Sequence, residues 1–179
     1  DDNLISAKIL LGTTNREMGD YDKAMDIYTP ALEQSEKLGD KRGMGDSLNN
    51  IGNLHYYKGD YDTALNYYNR SFVIKEELGD KRGMGGVLNN IGLIYSEKGD
   101  HNKALDYYGR SLEIREELGD KRGMGVILNN IGNVHFNKGD YDTALDYYKR
   151  SLTIREDLGD KLGMGLTLIN IGVVYRNKG

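Results

Sequence analysis

Apolar positions recur three and four residues apart along most of the chain. In 41–58 they are Met44, Leu48, Ile51 and then Leu54 or His55, and in 61–78 they are Ala64, Leu65, Tyr68, Phe72 and Ile74. That spacing places one buried stripe on a helix. No stretch sustains the alternation of a half-buried strand. Gly-Asp pairs close the runs at 59–60 and 79–80. Glycine takes the left-handed conformation that ends a helix. Aspartate caps the helix that follows, and its charge suits the positive end of the helix dipole. Lys58, Lys98 and Lys138 precede their glycines, where a cation meets the carbonyl end. The pattern predicts a helix A over 41–58 and a helix B over 61–78, each roughly 27 Å long at about 1.5 Å per residue.

The pattern repeats every 40 residues. "LGDKRGMG" stands at 38–45, 78–85 and 118–125, and "LGDKLGMG" at 158–165. The units are a diverged copy at 1–40, three close copies at 41–80, 81–120 and 121–160, and a half-unit at 161–179. A period of this length marks a repeat protein in which each unit buries its apolar face against its neighbours. The chain therefore reads as all-α, with nine helices. Connections of two or three residues make neighbours antiparallel. Stacked hairpins of this kind build a superhelical solenoid with a concave face.

Six positions recur in register: Leu48, Ile51, Gly52, His55, Ala64 and Tyr68; Leu88, Ile91, Gly92, Tyr95, Ala104 and Tyr108; Leu128, Ile131, Gly132, His135, Ala144 and Tyr148. The half-unit supplies Leu168, Ile171, Gly172 and Tyr175. With the "GDYDTAL" turn, they make the unit resemble the tetratricopeptide repeat over essentially the whole chain. HEAT and armadillo repeats have similar periods, but the Gly52 register and the "GDY…A" turn favour the tetratricopeptide pattern. The chain departs from it in its 40-residue period and in lacking the proline near the end of helix B. The long period looks like that of polarity and G-protein-regulator scaffolds, kinesin light chains and bacterial signalling proteins. The resemblance implies a right-handed superhelix that binds a protein or peptide partner along its concave groove.

Glycines around a basic pair can also cradle phosphate, but "LGDKRGMG" lacks the terminal Lys-Ser/Thr of a phosphate loop and follows no strand. A structural role fits better. Glycine inside a helix costs about 1 kcal/mol against alanine, so a close approach must compensate. The expected partner of Gly83 and Gly85 is the preceding helix B. Gly52, Gly92, Gly132 and Gly172 lie seven residues beyond the last glycine of each motif and are expected to extend the same contact. Met44 and its counterparts would fill gaps beside them. Lys81–Arg82 would form a solvated ridge pairing with stretches such as Glu76–Glu77.

Composition narrows the function classes. The 179 residues carry a formal net charge of -4, with 38% apolar and 29% charged residues. That balance suits an elongated protein and argues against a nucleic-acid partner, whose binders carry a basic field. No cysteine is present, which excludes disulfides and thiolate metal sites. No apolar run is long enough to span a membrane, and the acidic start lacks the basic region of a signal peptide. A cytoplasmic protein without cofactor or metal is expected, and no constellation of residues points to an enzyme.

The candidate chemistry is an asparagine ladder on the A helices. Asn50, Asn90, Asn130 and Asn170 recur at one position, Asn49, Asn89 and Asn129 precede three of them, and Asn53 and Asn133 lie a turn further on. Helix interiors disfavour asparagine, so its repetition implies a role. A primary amide offers donors and an acceptor. The ladder would either bind the backbone of an extended peptide, as the family resemblance implies, or bond between neighbouring A helices and fix their stacking; the two can coexist. Tyr56, Tyr57, Glu97, Phe136, Asn137 and Arg176 would set side-chain preference. Ile9, Leu10 and Thr13 replace the amides in the first unit, so no clamp for a chain terminus is expected. His55 and His135 hold the family's tyrosine position and should pack, while the tyrosine pairs at 67–68, 107–108 and 147–148 should place one ring inside and one near the surface. Pro30 falls inside a predicted B helix, where it should kink it. The chain reads as a fragment of a longer array. The half-unit would expose an apolar face, so weak homo-oligomers through the array ends, or a spacer role, form the alternative function.

Overall fold

A computed structural model describes residues 2–179, with side chains from Leu4 onward. Residue 1, the start of the first predicted unit, lies outside the described residues. Among the described residues there are nine α-helices and no strand: α1 Asp2–Glu17, α2 Tyr21–Leu38, α3 Lys41–Tyr57, α4 Tyr61–Glu77, α5 Lys81–Glu97, α6 His101–Glu117, α7 Lys121–Asn137, α8 Tyr141–Asp157 and α9 Lys161–Lys178. The odd-numbered helices are the predicted A helices and the even-numbered ones the B helices. The fold is an all-α helical repeat.

The predicted punctuation sets the helix ends to within a residue. Gly59 and Gly79 have φ of 77° and 64°, in the left-handed region. Asp40 accepts the Gly43 N–H at 3.0 Å, and Asp80 accepts the Gly83 N–H at 2.9 Å. α8 departs from this rule, since Asp140 makes no side-chain cap bond. Its carboxylate meets His135 Nδ1 at 3.3 Å and Lys138 Nζ at 3.4 Å instead. Helix α2 continues through Pro30 to Leu38.

The chain divides into two compact units, the first ending at Asn90 and the second beginning at Ile91, inside α5. In the first, Ala24, Tyr28, Leu32, Leu48, Ile51 and Leu54 form one core cluster. In the second, Ala104, Tyr108, Ile127, Ile131 and Val134 form one cluster, and Ala144, Leu145, Tyr148 and Val174 another. Polar side chains join these cores to the backbone: the buried Ser71 and Ser151 donate to the carbonyls of Gly45 and Gly125, each at 2.7 Å.

The glycines serve two contacts rather than the one expected. Gly83 and Gly123 do face the preceding B helix: a Cβ there would lie 2.5 Å from Lys75 Cδ and 2.7 Å from Arg115 Cδ, respectively. Gly45 instead faces the following helix, with Ile74 at 3.4 Å. The larger correction concerns Gly52, Gly92 and Gly132, which receive the tyrosine ring of the following B helix. A Cβ would fall 2.6 Å, 2.7 Å and 2.6 Å from Cε1 of Tyr68, Tyr108 and Tyr148. The reason is angular. At 3.6 residues per turn, two positions rotate a residue to the opposite face, whereas seven return it to the same one. Gly83 and Gly123 therefore look back, while Gly45 and its seven-residue partner Gly52 look forward. On α9 the forward face is open, with nothing within 4 Å of a Cβ at Gly165 or Gly172, and Leu168, whose counterpart Leu128 is buried, is exposed there.

Candidate functional site

The asparagines form two matching clusters, one in each unit. In the first, the Asn90 amide nitrogen on α5 donates to Asn49 Oδ1 at 3.2 Å and to Asn53 Oδ1 at 3.1 Å, both on α3. Tyr68 of α4 donates its hydroxyl to the same Asn53 oxygen at 2.8 Å. In the second, Asn170 on α9 donates to Asn129 Oδ1 at 3.1 Å and Asn133 Oδ1 at 3.3 Å, both on α7. Tyr148 donates to Asn133 Oδ1 at 2.7 Å. Burial pushes the Tyr148 phenol up to about 12 and the Tyr68 phenol higher, so both hydroxyls keep their protons at neutral pH. Helices α3 and α5, and likewise α7 and α9, are thus tied by amides, and each of these two ties is anchored to the ring that fills the glycine notch.

These bonds consume some atoms and spare others. Asn133 uses both lone pairs of Oδ1, toward Tyr148 and Asn170, and its amide N–H groups have no partner among the described residues. Asn170 uses its two N–H groups and keeps its oxygen. In the first hairpin Thr13 replaces the asparagine: its hydroxyl donates to the Ile9 carbonyl and meets Tyr28 Oη at 3.0 Å. Asn50, whose register counterpart on α1 is Leu10, makes no side-chain hydrogen bond among the described residues. Asn89 donates to Asn90 Oδ1 at 3.3 Å.

In the second unit the ladder borders a pocket of about 250 Å³, lined by side chains of α5, α7 and α9 with the Tyr108 and Tyr148 rings. Asn130, Asn133, Asn137, Asn170 and Glu97, all sequence candidates, meet there. Phe136 joins them, and so do Leu93, Ser96 and Val173, which the sequence reasoning passed over. Their signal was present: Leu93 and Val173 share a register with Asn53 and Asn133, and Ser96 shares one with Tyr56 and Phe136. Tyr56 and Tyr57 belong to the first unit and lie outside this pocket. Tyr57 stacks on Tyr21 with centroids 5.5 Å apart and planes 3° apart, and Tyr56 packs edge-on to Tyr57 and against Tyr61. These rings pair with one another at the end of α3, although Tyr57 remains 53% exposed.

His55 and His135 pack as expected, stacked on Tyr67 and Tyr147 at 5.4 and 5.5 Å. Each also reaches the aspartate that precedes the next helix, and the His135 ring holds the Asp140 carboxyl below its usual range against the opposing effect of burial. The buried Lys75 is paired, to Asp46 at 2.6 Å and Asp80 at 3.2 Å. The predicted surface ridge pairs across repeats: Lys41 meets Glu77 at 2.8 Å. Among the described residues no group of His, Asp and Glu side chains could hold a metal ion, and no helix is long and apolar enough to cross a membrane.

The tetratricopeptide repeat family model matches residues 4–77, 48–117, 83–157 and 123–179. No curated protein matches the chain in sequence. Solved structures match in fold. BtubC (BKLC) from P. vanneervenii superposes with a TM-score of 0.84 at 24% identity, over 97% of this chain and 72% of that one. A Rap protein complexed with competence and sporulation factor gives 0.84 at 20% identity, over 96% of this chain and 48% of that one. A putative kinesin light chain from Podosopora anserina, with nearly identical TPR-like repeats, gives 0.76 at 10% identity, over 98% and 86%. With four overlapping matches running from residue 4 to 179 over helices of the expected register, the chain belongs to the tetratricopeptide repeat family.

Proposed function

We propose that this chain is a protein-interaction module that holds an extended peptide segment of a partner against its A helices, with the pocket of the second unit as the anchor point. The observation that carries this reading is the division of labour in the amide cluster. Asn133 offers spare N–H donors and Asn170 a spare carbonyl to the same pocket. Together they match the C=O and N–H of a peptide group, whatever side chain it bears. The hydrogen bonds that fix the stacking also aim these atoms, so the two roles of the ladder coexist. A protein or peptide partner also agrees with the related fold of a Rap protein, whose structure is a complex with competence and sporulation factor.

The test uses pooled nonapeptides of randomised sequence retained on immobilised protein. Asn133→Leu installs the residue that α5 carries at the same register, Leu93. Removing the donor pair should lower retention about tenfold, since hydrogen bonds left unmade in a desolvated site cost about 1–3 kcal/mol. Equal retention by both proteins at equal helicity would sink the groove assignment.

A further inference from the structure

The pocket of the second unit carries one charge. Glu97, at the end of α5, lines it and is exposed, and its carboxylate has no hydrogen bond or ion pair among the described residues. No lysine or arginine is among the lining side chains. The remaining polar groups are neutral amides and the Ser96 hydroxyl, and the Phe136 ring supplies an aromatic wall. Asp140, in the turn after α7, is by contrast paired, to Lys138 at 3.4 Å. An unpaired carboxylate beside an aromatic face, in a cavity of about 250 Å³, is an incomplete site. That volume equals roughly eight waters at about 30 Å³ each, the space of a single long side chain rather than of a drug-sized ligand.

We infer that this pocket takes a basic side chain, lysine or arginine, of the bound peptide: its cation pairs with the Glu97 carboxylate, its aliphatic stem lies on Phe136, and the adjoining peptide group bonds to Asn133 and Asn170. The inference rests on the groove reading above and adds the chemistry of the ligand to it. Cation and carboxylate attract, and an aromatic face favours a cation further. An acidic side chain would meet Glu97 as a like charge. The equivalent register defines the direction. Glu97 on α5 is followed by Asn137 on α7 and Asn177 on α9, while Ser96 and Phe136 are followed by Arg176. Arg176 is exposed and falls outside the lining, so the negative end of the pocket is the α5 end. The first unit lacks this chemistry, because Tyr57 occupies the Glu97 register and stacks on Tyr21.

The experiment compares three nonapeptide pools with randomised flanks and a fixed central residue: lysine, norleucine as its uncharged analogue, or glutamate. The native protein should retain the lysine pool about fivefold to tenfold more than the norleucine pool, the combined size of an exposed ion pair and a cation–aromatic contact. The glutamate pool should be retained least. The preference should shrink as salt is raised from about 0.05 to 0.5 M. Glu97→Gln should at least halve the lysine preference, and Glu97→Lys should reverse it toward glutamate. Glu97 is exposed at a helix end, so neither variant threatens folding. Equal retention of the lysine and norleucine pools by the native protein, or an undiminished preference in Glu97→Gln, overturns the inference and leaves the groove reading standing. Retention of no pool at all overturns both.

Discussion

Helices α7 and α9 carry the same register of residues but sit in different surroundings. Leu128 on α7 is 2% exposed, whereas Leu168 on α9 is 50% exposed. Gly132 receives the Tyr148 ring, whereas nothing lies within 4 Å of a Cβ at Gly172. Val174, which faces back toward α8's cluster, is as buried as Val134. The A helix therefore has two faces with separate dependencies. One is covered by the B helix before it and one by the B helix after it, and the second contact is a tyrosine seated in a glycine notch. The apolar stripe that defines the helix in sequence is half a contact, and the neighbouring helix decides whether it is buried.

The strongest way to break the contrast is to remove the ring. Tyr148→Ala deletes a buried aromatic side chain and the hydroxyl that anchors Asn133, and should cost about 3–5 kcal/mol. The loss should concentrate in α7 and α8, because repeats are held mainly by nearest neighbours. Hydrogen exchange of their amides should accelerate to match that of α9, alongside a lower urea midpoint. A loss under about 1 kcal/mol would mean that the notch contributes little to burying α7.

Much of this was legible from sequence. The Gly-Asp pairs fixed the helix ends because they act within one turn of the chain, through left-handed glycine and capping aspartate. The apolar spacing fixed the helices, and the recurrent Leu, Ile, Gly, Ala and Tyr positions fixed the family. The partner of the Gly52 row was not legible, because periodicity gives the face of a helix but not which of two neighbours covers it. The asparagines were recognised as a ladder, but the assignment of their atoms was not: which amide donates and which is spare depends on distances of about 3 Å between side chains 37 and 41 residues apart. The clustering of Tyr56 and Tyr57 with Tyr21 and Tyr61 was hidden for a similar reason, since those rings come from three different helices.

A smaller perturbation keeps the ring and crowds its seat. In Gly132→Ala the new methyl would lie 2.6 Å from Tyr148 Cε1. The ring is rigid and packed among Ala144, Leu145 and Val174, so it cannot swing aside as a flexible chain end would. Overpacking costs about 1–3 kcal/mol, and the better helix propensity of alanine returns up to about 1 kcal/mol. The expected net loss is about 1–2 kcal/mol by urea unfolding. A neutral outcome would show that the hairpin can open enough to admit a methyl group.

The smallest effect should have the opposite sign. Gly172→Ala adds the same methyl at the same register, but into open space. Only the intrinsic terms remain: alanine loses less backbone entropy and shields the helix, for a gain of at most about 1 kcal/mol. Position 172 lies within two turns of the end of α9, where fraying reduces the gain further. Slower hydrogen exchange of the α9 amides is the sensitive readout, and light scattering on the same samples fixes the mass. If Gly172→Ala instead destabilises the protein as Gly132→Ala does, the α9 notch is filled in solution. A mass that rises with concentration in the parent protein and falls in the variant would then identify the filler as a second copy of the chain.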